Sequence, residues 1–535
     1  MTIAKHPNVV LIIADDITPA YHGCYGGRTP TPHIDALARE GVRFDRGYSN
    51  ASLCCPSRWC LFTGQFAGRS EACYGPVPVD EPYLVSQNGE LSPSTPTLAK
   101  QLNAAGYFTG HVGKWHSRFD CGFLGEDEPV VPCGDPDDPA VDRLFRERHA
   151  VARRVVKACG GFHYVDRVYW GNIPRNVHPA VQHHNIGWFT DGALAFLDLA
   201  AGNGKPFYLH LANSLPHDPN PLLSLNADHR YTWSGKLEQH PCSHPSDDSV
   251  TERMNHAGLQ TSGPIAGVNA GVVQIDDQVG IIREKLRAIG ELENTIFIYT
   301  ADHGIPGKGS CHMIGQHLPF VISWPARLPC EQVVQQIFSW VDVVPTLCAA
   351  CGVSMPDTHR IDGYNVLHSL TDHQPWPRSV AYHEMGWSRS VIKGNYHYIA
   401  TRYPRYAIEK MRTEHNSKTL GVGLMFDTLN APFIPGYFDP DQLYDIAADP
   451  YERTNLVNDP AMGAIIADLK AELRKLLSTL PRPFPEEPDD FLRTDVYREL
   501  LTERKNEMAG LVHYPRNADV PRVWHANLVD PACPS

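Results

Sequence analysis

The chain has 535 residues, of which 42% are hydrophobic and 20% charged, and its formal net charge is −13. It is long enough for a large core and more than one domain, and its composition is that of an ordinary globular protein. No apolar run approaches membrane-spanning length and no basic block could track a phosphate backbone, so neither a membrane nor nucleic acid is expected as a partner.

The opening MTIAKHPNVVLII stops at Asp15-Asp16 and reads as a core strand, Val9–Ile13, rather than a signal peptide. The expected location is cytoplasmic for the chain as written, or periplasmic or secreted where a leader has been removed. Thr31-Pro32 caps a helix carrying Ile34, Leu37 and Ala38, which Gly41 ends. The run Leu53–Cys60, LCCPSRWC, hands a strand–loop over to a helix spanning Ser57–Thr63. Thr95-Pro96 opens another helix, through Leu98 and Leu102 to Gly106. Phe108–Val112, Phe207–Leu211, Ile296–Thr300 and Phe320–Ser323 have the length and β-branched content of buried parallel strands. Between the second and third of these, Val272, Ile275, Val279, Ile282 and Leu286 share one helix face that ends near Gly290. This alternation predicts an α/β fold over residues 1–375, a large mainly parallel sheet flanked by helices.

After about residue 375 the texture changes. Val380–Tyr382, Ser390–Ile392 and Tyr396–Ala400 are short strands joined by tight turns, a helix succeeds them near Ala461–Leu477, and then comes PRPFPEEPDD. A smaller C-terminal α+β domain is expected over 376–480, with an extended tail over 481–535. The tail is suited to wrap the body or a partner subunit, which makes a homodimer one expectation. Fourteen cysteines without repeating spacing fit reduced, mostly buried thiols better than a disulfide framework. Cys348-Ala-Ala-Cys351 reads as core packing at a helix end.

The residues just past each strand are more informative. Val9–Ile13 runs into Asp15-Asp16, Phe108–Val112 into Lys114 and His116, Phe207–Leu211 into His217, and Ile296–Thr300 into Asp302-His303, with Lys308 close behind. In an open parallel sheet, sites form beyond the carboxyl ends of the strands. Asp15, Asp16 and Asp302 are hard ligands for a divalent cation, and His303 could add a nitrogen. Lys114 and Lys308 suit an oxyanion, and His116 and His217 can carry protons near neutral pH. Taken singly, each is as well explained by a helix cap, a turn or a solvated loop. Four strands delivering such groups to one edge describe a site that transfers or hydrolyses a tetrahedral anion. LCCPSRWC offers the nucleophile at a helix N-terminus, where negative charge is stabilised: a cysteine thiolate, Ser57, or a group derived from either.

These residues resemble the type I, formylglycine-dependent sulfatases of the alkaline phosphatase superfamily. Cys54-Cys55-Pro56-Ser57-Arg58 matches the family's Cys-x-Pro-Ser-Arg maturation motif, and Gly106–His116 matches its second signature. The opening NVVLIIADD, Pro216-His217, the run from Asn294-Thr295 to Asp302-His303-Gly304, and Leu443-Tyr444-Asp445…Asp449-Pro450…Glu452…Asn455-Leu456 match further motifs in order. The resemblance spans roughly residues 7–480 and implies an alkaline-phosphatase-like fold.

It also implies that a formylglycine-generating maturation enzyme converts Cys54 to formylglycine. The hydrated aldehyde attacks sulfur with one hydroxyl, and loss of a proton from the other collapses the hemiacetal sulfate. By position, Asp15, Asp16, Asp302 and His303 would bind one divalent metal together with the Cys54-derived oxygen, most readily Ca²⁺, with Mg²⁺ or Mn²⁺ as alternatives. Arg58 would orient the diol and Lys114 would bridge it to the sulfate, with Lys308 and His217 on the sulfate and leaving oxygen. His116 would be the base for collapse, and His217 or Lys308 the acid.

Two features depart from the family pattern. His303 stands where many members carry Asn, and the Lys308 loop is short. The run Asp302–Pro306 is otherwise similar to glucosamine N-sulfatases, which hints at a sulfated sugar. The expected function is hydrolysis of sulfate esters, of a saccharide or a small aryl or alkyl alcohol. The alternatives are phosphonate monoester or phosphodiester hydrolysis by the same chemistry, and an inactive sulfatase-like binding protein. Substrate choice is expected to lie in the loops Tyr74–Asn88, Phe119–Asp142 and Ser224–Asn255, where His229, Tyr231, Trp233 and His240 could stack on sugar rings or only pack.

Overall fold

The apolar run that opens the chain forms β1 (Asn8–Ala14), and every residue of it is buried. A strand buried on both faces needs cover on both sides. In the computed structural model, which describes residues 6–74, 81–117, 131–242, 249–404, 407 and 434–488, that cover is two groups of helices. Helices α1 (Pro32–Arg39), α5 (Ile186–Asn203) and α6 (Pro264–Ala288) pack together. Helices α2 (Cys54–Thr63), α3 (Leu98–Ala104) and α7 (Val343–Cys351) form the other group. Helix α4 (Pro139–Gly160) lies against the sheet's far edge strand.

The sheet has eight strands: β1, β2 (Val42–Phe44), β3 (Phe108–Lys114), β4 (Tyr164–Tyr169), β5 (Phe207–Ala212), β6 (Thr295–Ala301), β7 (Phe320–Ser323) and β8 (Gln332–Val334). Their order is β8-β2-β7-β6-β1-β5-β3-β4. All neighbours run parallel except at β7, which is antiparallel to both β6 and β2. The expectation of a parallel strand at Phe320–Ser323 is therefore corrected. The connection between β6 and β7 carries the site loop and only the four-residue helical turn Met313–Gln316, with no helix to cover the sheet as a parallel crossover usually does.

Because β1, β3, β4, β5 and β6 run in one direction, their carboxyl ends share one edge. The ladder continues past the strands: Asp15 N donates to Leu215 O at 2.8 Å, Asp302 N to Ala14 O at 3.1 Å and Ile17 N to His303 O at 3.1 Å. The loops that carry the polar residues are thus tied to one another by backbone hydrogen bonds.

The C-terminal strands β9 (Val380–Met385), β10 (Ser388–Lys393), β11 (Tyr396–Thr401) and β12 (Asp441–Asp445) form an antiparallel meander, with α8 (Gly463–Leu477) packed on it. It is joined to the segment leading into α2 through buried polar links, among them Glu384 N to Asn50 O at 2.9 Å. Residues 489–535 of the expected tail lie outside the described residues. The cysteines described are free and mostly buried, including Cys348 and Cys351 at the end of α7. Among the described residues no helix is long and apolar enough to cross a membrane.

Candidate active site

Helix α2 begins at Cys54 itself, three residues before the expected start, and all ten of its residues are buried. Pro56 falls in the first turn, where its missing N–H costs nothing, and the Cys55 N–H donates to Gln87 Oε1 at 3.3 Å. Cys54 thus occupies the first helical position with its thiol turned toward the strand ends. Its Sγ lies 3.4 Å from His303 Nε2 and 3.6 Å from both Asp15 Oδ1 and Lys114 Nζ. Cys60, further along α2, packs in the core.

Ligand atoms of Asp15, Asp16, Cys54 and His303 all lie within 4.8 Å of one another. Asp302 sits at the edge of this group, its Oδ1 3.9 Å from His303 Nε2. That oxygen accepts from the backbone N–H of Asp16 at 3.2 Å and of His303 at 2.9 Å, while Oδ2 accepts from Arg58 Nη2 at 3.0 Å. Lys114 Nζ pairs with Asp15, and Lys308 Nζ donates to both Asp16 oxygens at 2.9 and 2.6 Å. His217 Nε2 lies 3.5 Å from Asp16 Oδ2, and its Nδ1 donates to Asp218 O at 2.9 Å. The structure therefore brings Cys54, Arg58, Asp15, Asp16, Asp302, His303, Lys114, Lys308 and His217 into one buried cluster.

His116 flanks it. The backbone ladder carries on from β3 and β4, with Trp115 N donating to Tyr169 O at 2.8 Å and His116 N to Trp170 O at 3.0 Å. His116 itself adopts φ 47°, the left-handed region, which costs about 1–3 kcal/mol and is held by this pairing. Its ring lies over Gly171, where a Cβ would come within 3.2 Å of Cδ2. Just upstream, the β3–β4 register shifts at Val112/Gly113, a bulge that re-aims the adjoining Lys114. Gly113 is required there, because at φ 98° a Cβ would strike Ala212 O at 2.0 Å.

The electrostatics arise from three carboxylates facing three fixed cations out of water. Burial pushes the Asp15 carboxyl up, but Lys114, His217 and Arg58 overwhelm it and hold it well below the usual range. Asp16 is likewise held down, against burial, by Lys308, His217 and His303. Burial would depress His303, yet Asp302 and Asp16 raise it well above an ordinary imidazole. A field that favours a proton on that ring favours a cation beside it. Burial, then Lys114 and Arg58, lower His116, which is therefore neutral. His217 is lowered by burial and by Lys308.

Two contributors carry no clear signal in the sequence. Asn172, three residues past β4, accepts from Lys114 Nζ through Oδ1 at 2.6 Å. It is uncharged and comes after a strand of alternating polarity, so only β4 itself could have signalled it. The second is the C-terminal meander's hold on the Lys308 loop. His312 Nε2 pairs with Gln442 Oε1 at 3.0 Å, and Met313 N donates to Glu452 Oε2 at 2.8 Å. Of the aromatic loop residues, Trp233 stacks on Tyr169 at 4.2 Å. His229 packs edge-on to His183, Tyr231 donates to Asp137, and His240 lies 3.8 Å from Asp228. Residues 75–80, 119–130 and 243–248 of the three expected specificity loops lie outside the described residues.

Buried carboxylates balanced by lysines around one thiol, at the carboxyl edge of such a sheet, are the equipment of a hydrolase for a tetrahedral anion of the alkaline-phosphatase-like fold. The chain's relationships say which anion: the Sulfatase family model matches residues 7–353, and the chain belongs to that family. It is a sulfatase, an enzyme that hydrolyses sulfate esters. It is 26% identical over 540 residues to the steryl-sulfatase of Rattus norvegicus, covering 89% of each chain. It is also 26% identical over 520 residues to the N-acetylgalactosamine-6-O-sulfatase of Bacteroides thetaiotaomicron, covering 85% of this chain and 90% of the other. Among solved structures, one in complex with its substrate D-glucosamine-2-N,6-O-disulfate aligns with TM-score 0.58 and 18% identity, over 90% of this chain and 100% of that chain. The phosphonate monoester hydrolase of Agrobacterium radiobacter aligns with TM-score 0.56 and 18% identity, over 88% and 96%. These structural likenesses establish the fold.

Proposed function

We propose that the chain hydrolyses a sulfate ester of a sugar, with Cys54 converted to formylglycine by a maturation enzyme and one divalent cation bound beside it. The observation that carries this reading is the position of Cys54 Sγ, 3.4–3.6 Å from His303, Asp15 and Lys114 at the start of α2. The thiol stands where the formylglycine oxygen would be. Three carboxylates and one imidazole around it are a donor set that fits a divalent cation, Ca²⁺ first because oxygen predominates, Mg²⁺ or Mn²⁺ with the imidazole included. Asp15, Asp16, Asp302 and His303 would hold it. Such a cation, with the hydrated aldehyde, supplies an oxygen nucleophile at neutral pH.

The chain's own residues do the rest. Lys114, fixed by Asp15 and Asn172, holds the nucleophile's charge and one sulfate oxygen. Lys308, fixed by Asp16, neutralises the other side of the sulfate. Three carboxylates already balance Lys114, Lys308 and Arg58, so a bound divalent cation leaves the site net positive for an anion. Neutral His116 accepts the proton whose loss collapses the sulfated intermediate, and Lys308 and His217 are the groups placed to protonate the leaving oxygen.

The sugar is supported by relatives such as the N-acetylgalactosamine-6-O-sulfatase. A second reading, phosphonate monoester hydrolysis, is favoured by His303 in the cluster and by likeness to the Agrobacterium enzyme. Protein co-expressed with a maturation enzyme decides between them. Mass spectrometry of the peptide spanning residues 47–69 should show the aldehyde at Cys54, and nitrophenyl sulfate should turn over faster than a phenyl phosphonate monoester. An unmodified Cys54, or the reverse order of rates, overturns the reading.

A further inference from the structure

The chain carries a net charge of −13, yet α4 runs against it: six basic side chains, five of them arginines, stand there against Asp142 and Glu147. By helical period Arg143, Arg146, Ala150, Arg153, Arg154 and Lys157 share one face. All six are exposed, and Glu147 is the one acid of α4 beside them. Spaced three and four apart, these cations form no block in the sequence. Folded, they make a stripe about 21 Å long by the rise of a helix.

Local effects account for only part of the stripe. The helix dipole favours Lys157 in the last turn, whereas Arg143 and Arg146 stand nearer the N-terminus, where it opposes cations. Arg146 pairs with Asp142, and Arg153 lies 3.6 Å from Asp166, but their side chains remain 55% and 48% exposed. Arg153 and Arg154 precede Lys157 by four and three residues, a like-charge spacing that weakens a helix. Burial, then Lys205 and Lys157, lower the His163 imidazole just past α4, so the cationic ground extends beyond the helix.

The surface also has a shape and a direction. Helix α4 and edge strand β4 form an open groove of about 470 Å³. Its apolar lining is Ala150, Val151 and Val165, and its charged lining is Glu147 with the last three cations of the stripe. His149 Nε2 accepts from Val168 N at 3.1 Å while Arg153 donates to Val165 O at 2.6 Å, so α4 runs antiparallel to β4. Arg143 therefore lies toward the carboxyl end of β4, beyond which Asn172 reaches Lys114. The stripe leads from the amino-terminal edge of the sheet to its catalytic edge. Guanidinium forks beside apolar surface match sulfate groups carried on sugar rings.

We propose that the exposed face of α4 is a docking surface for a sulfated polysaccharide, holding the polymer along the flank while one of its sulfated sugars reaches the cluster. The proposal rests on the sugar-sulfate reading above and deepens it, since a stripe this long serves a chain rather than a single ring.

Binding and turnover are measured separately. Fluorescently labelled dextran sulfate is titrated into the Cys54→Ala protein, with unsulfated dextran, duplex DNA and anionic phospholipid vesicles as comparators. Dextran sulfate should bind, and its affinity should fall steeply as salt is raised. Adding Arg143→Gln, Arg154→Gln and Lys157→Gln should weaken it by about tenfold or more. Those side chains are exposed, so the melting temperature should hold. Unchanged affinity in that variant, binding insensitive to salt, or binding of unsulfated dextran as tight as that of dextran sulfate overturns the proposal. Equal or tighter binding of DNA or of the vesicles overturns the assignment to a sulfated glycan. Nitrophenyl sulfate turnover by the matured wild type reads the reaction, and the three substitutions should leave it unchanged. Binding along α4 without turnover removes the sulfatase mechanism and keeps the docking surface, whereas turnover without such binding removes the docking surface alone.

Discussion

Arg58 Nη2 lies 3.0 Å from Asp302 Oδ2, and neither side chain is exposed to solvent. The same guanidinium donates to Lys114 O at 3.2 Å, so one arginine ties α2 to the ends of β3 and β6. Removing it would strand a buried carboxylate, a loss worth about 3–5 kcal/mol. Arg58→Ala should lower the free energy of urea unfolding by that amount. Arg58→Lys should recover only part, because an ammonium cannot span both partners. A loss below about 1 kcal/mol, the level of a surface ion pair, would show that the pair does not bear on stability.

The three cysteines of LCCPSRWC separate by position. Cys54 Sγ faces Asp15, Lys114 and His303, whereas Cys60 lies in the hydrophobic core. Cys54→Ala should reduce kcat by at least about a thousandfold, the scale of losing a nucleophile. Cys55→Ala and Cys60→Ala should retain most activity in steady-state assays. The reverse pattern would place the modified residue one position away.

Besides Asp15 and the Cys54 thiol, Lys114 has Asn172 as a side-chain acceptor, at 2.6 Å. Asn172→Ala should let the ammonium settle on Asp15 and lower kcat/KM for nitrophenyl sulfate by roughly tenfold, the value of one hydrogen bond to a charged group. Asn172→Asp should cost more, since a further carboxylate repels the sulfate. An Asn172→Ala enzyme with wild-type kinetics would show that this hydrogen bond does not bear on the reaction.

Glu452 links the C-terminal meander to the Lys308 loop, accepting from Met313 N at 2.8 Å and pairing with His397. Burial raises its carboxyl from 4.5 to about 7, against the pull of His312 and the Met313 N–H. The folded chain binds this proton more tightly than the unfolded one. Its contribution to stability is complete below about pH 4.5 and is lost as pH rises through about 7. Glu452→Gln cannot titrate. The stability of the wild type relative to this variant should fall across that window and stay level above it, as read from denaturation at several pH values. A difference independent of pH would mean that the carboxylate is charged throughout.

Much of the fold was legible because the signals are local. Runs rich in apolar and β-branched or aromatic residues mark β1, β3, β5 and β6, and polar residues at or just past their ends announce the chemistry. Strand β4 was not legible, since Tyr-Val-Asp-Arg-Val-Tyr alternates polar and apolar residues at a sheet edge. Helices α4 and α5 and the short strands β2 and β8 were not legible either. The direction of β7 depends on the path of the connection behind it, which carries the site loop instead of a crossover helix, rather than on its own residues.

The sequence by itself determined which groups are candidates to react, because a thiol in Cys-x-Pro-Ser-Arg and acids, lysines and histidines at strand ends carry their chemistry wherever the chain takes them. Tertiary structure decided how they share charge: Asp302 bound by Arg58 and two amides, Lys114 set between Asp15 and Asn172, and the Lys308 loop held by Glu452. Those partners lie up to 292 residues apart, as Lys308 and Asp16 do. Coulomb and hydrogen-bond energies depend on separation in space, and only the packed sheet sets that separation.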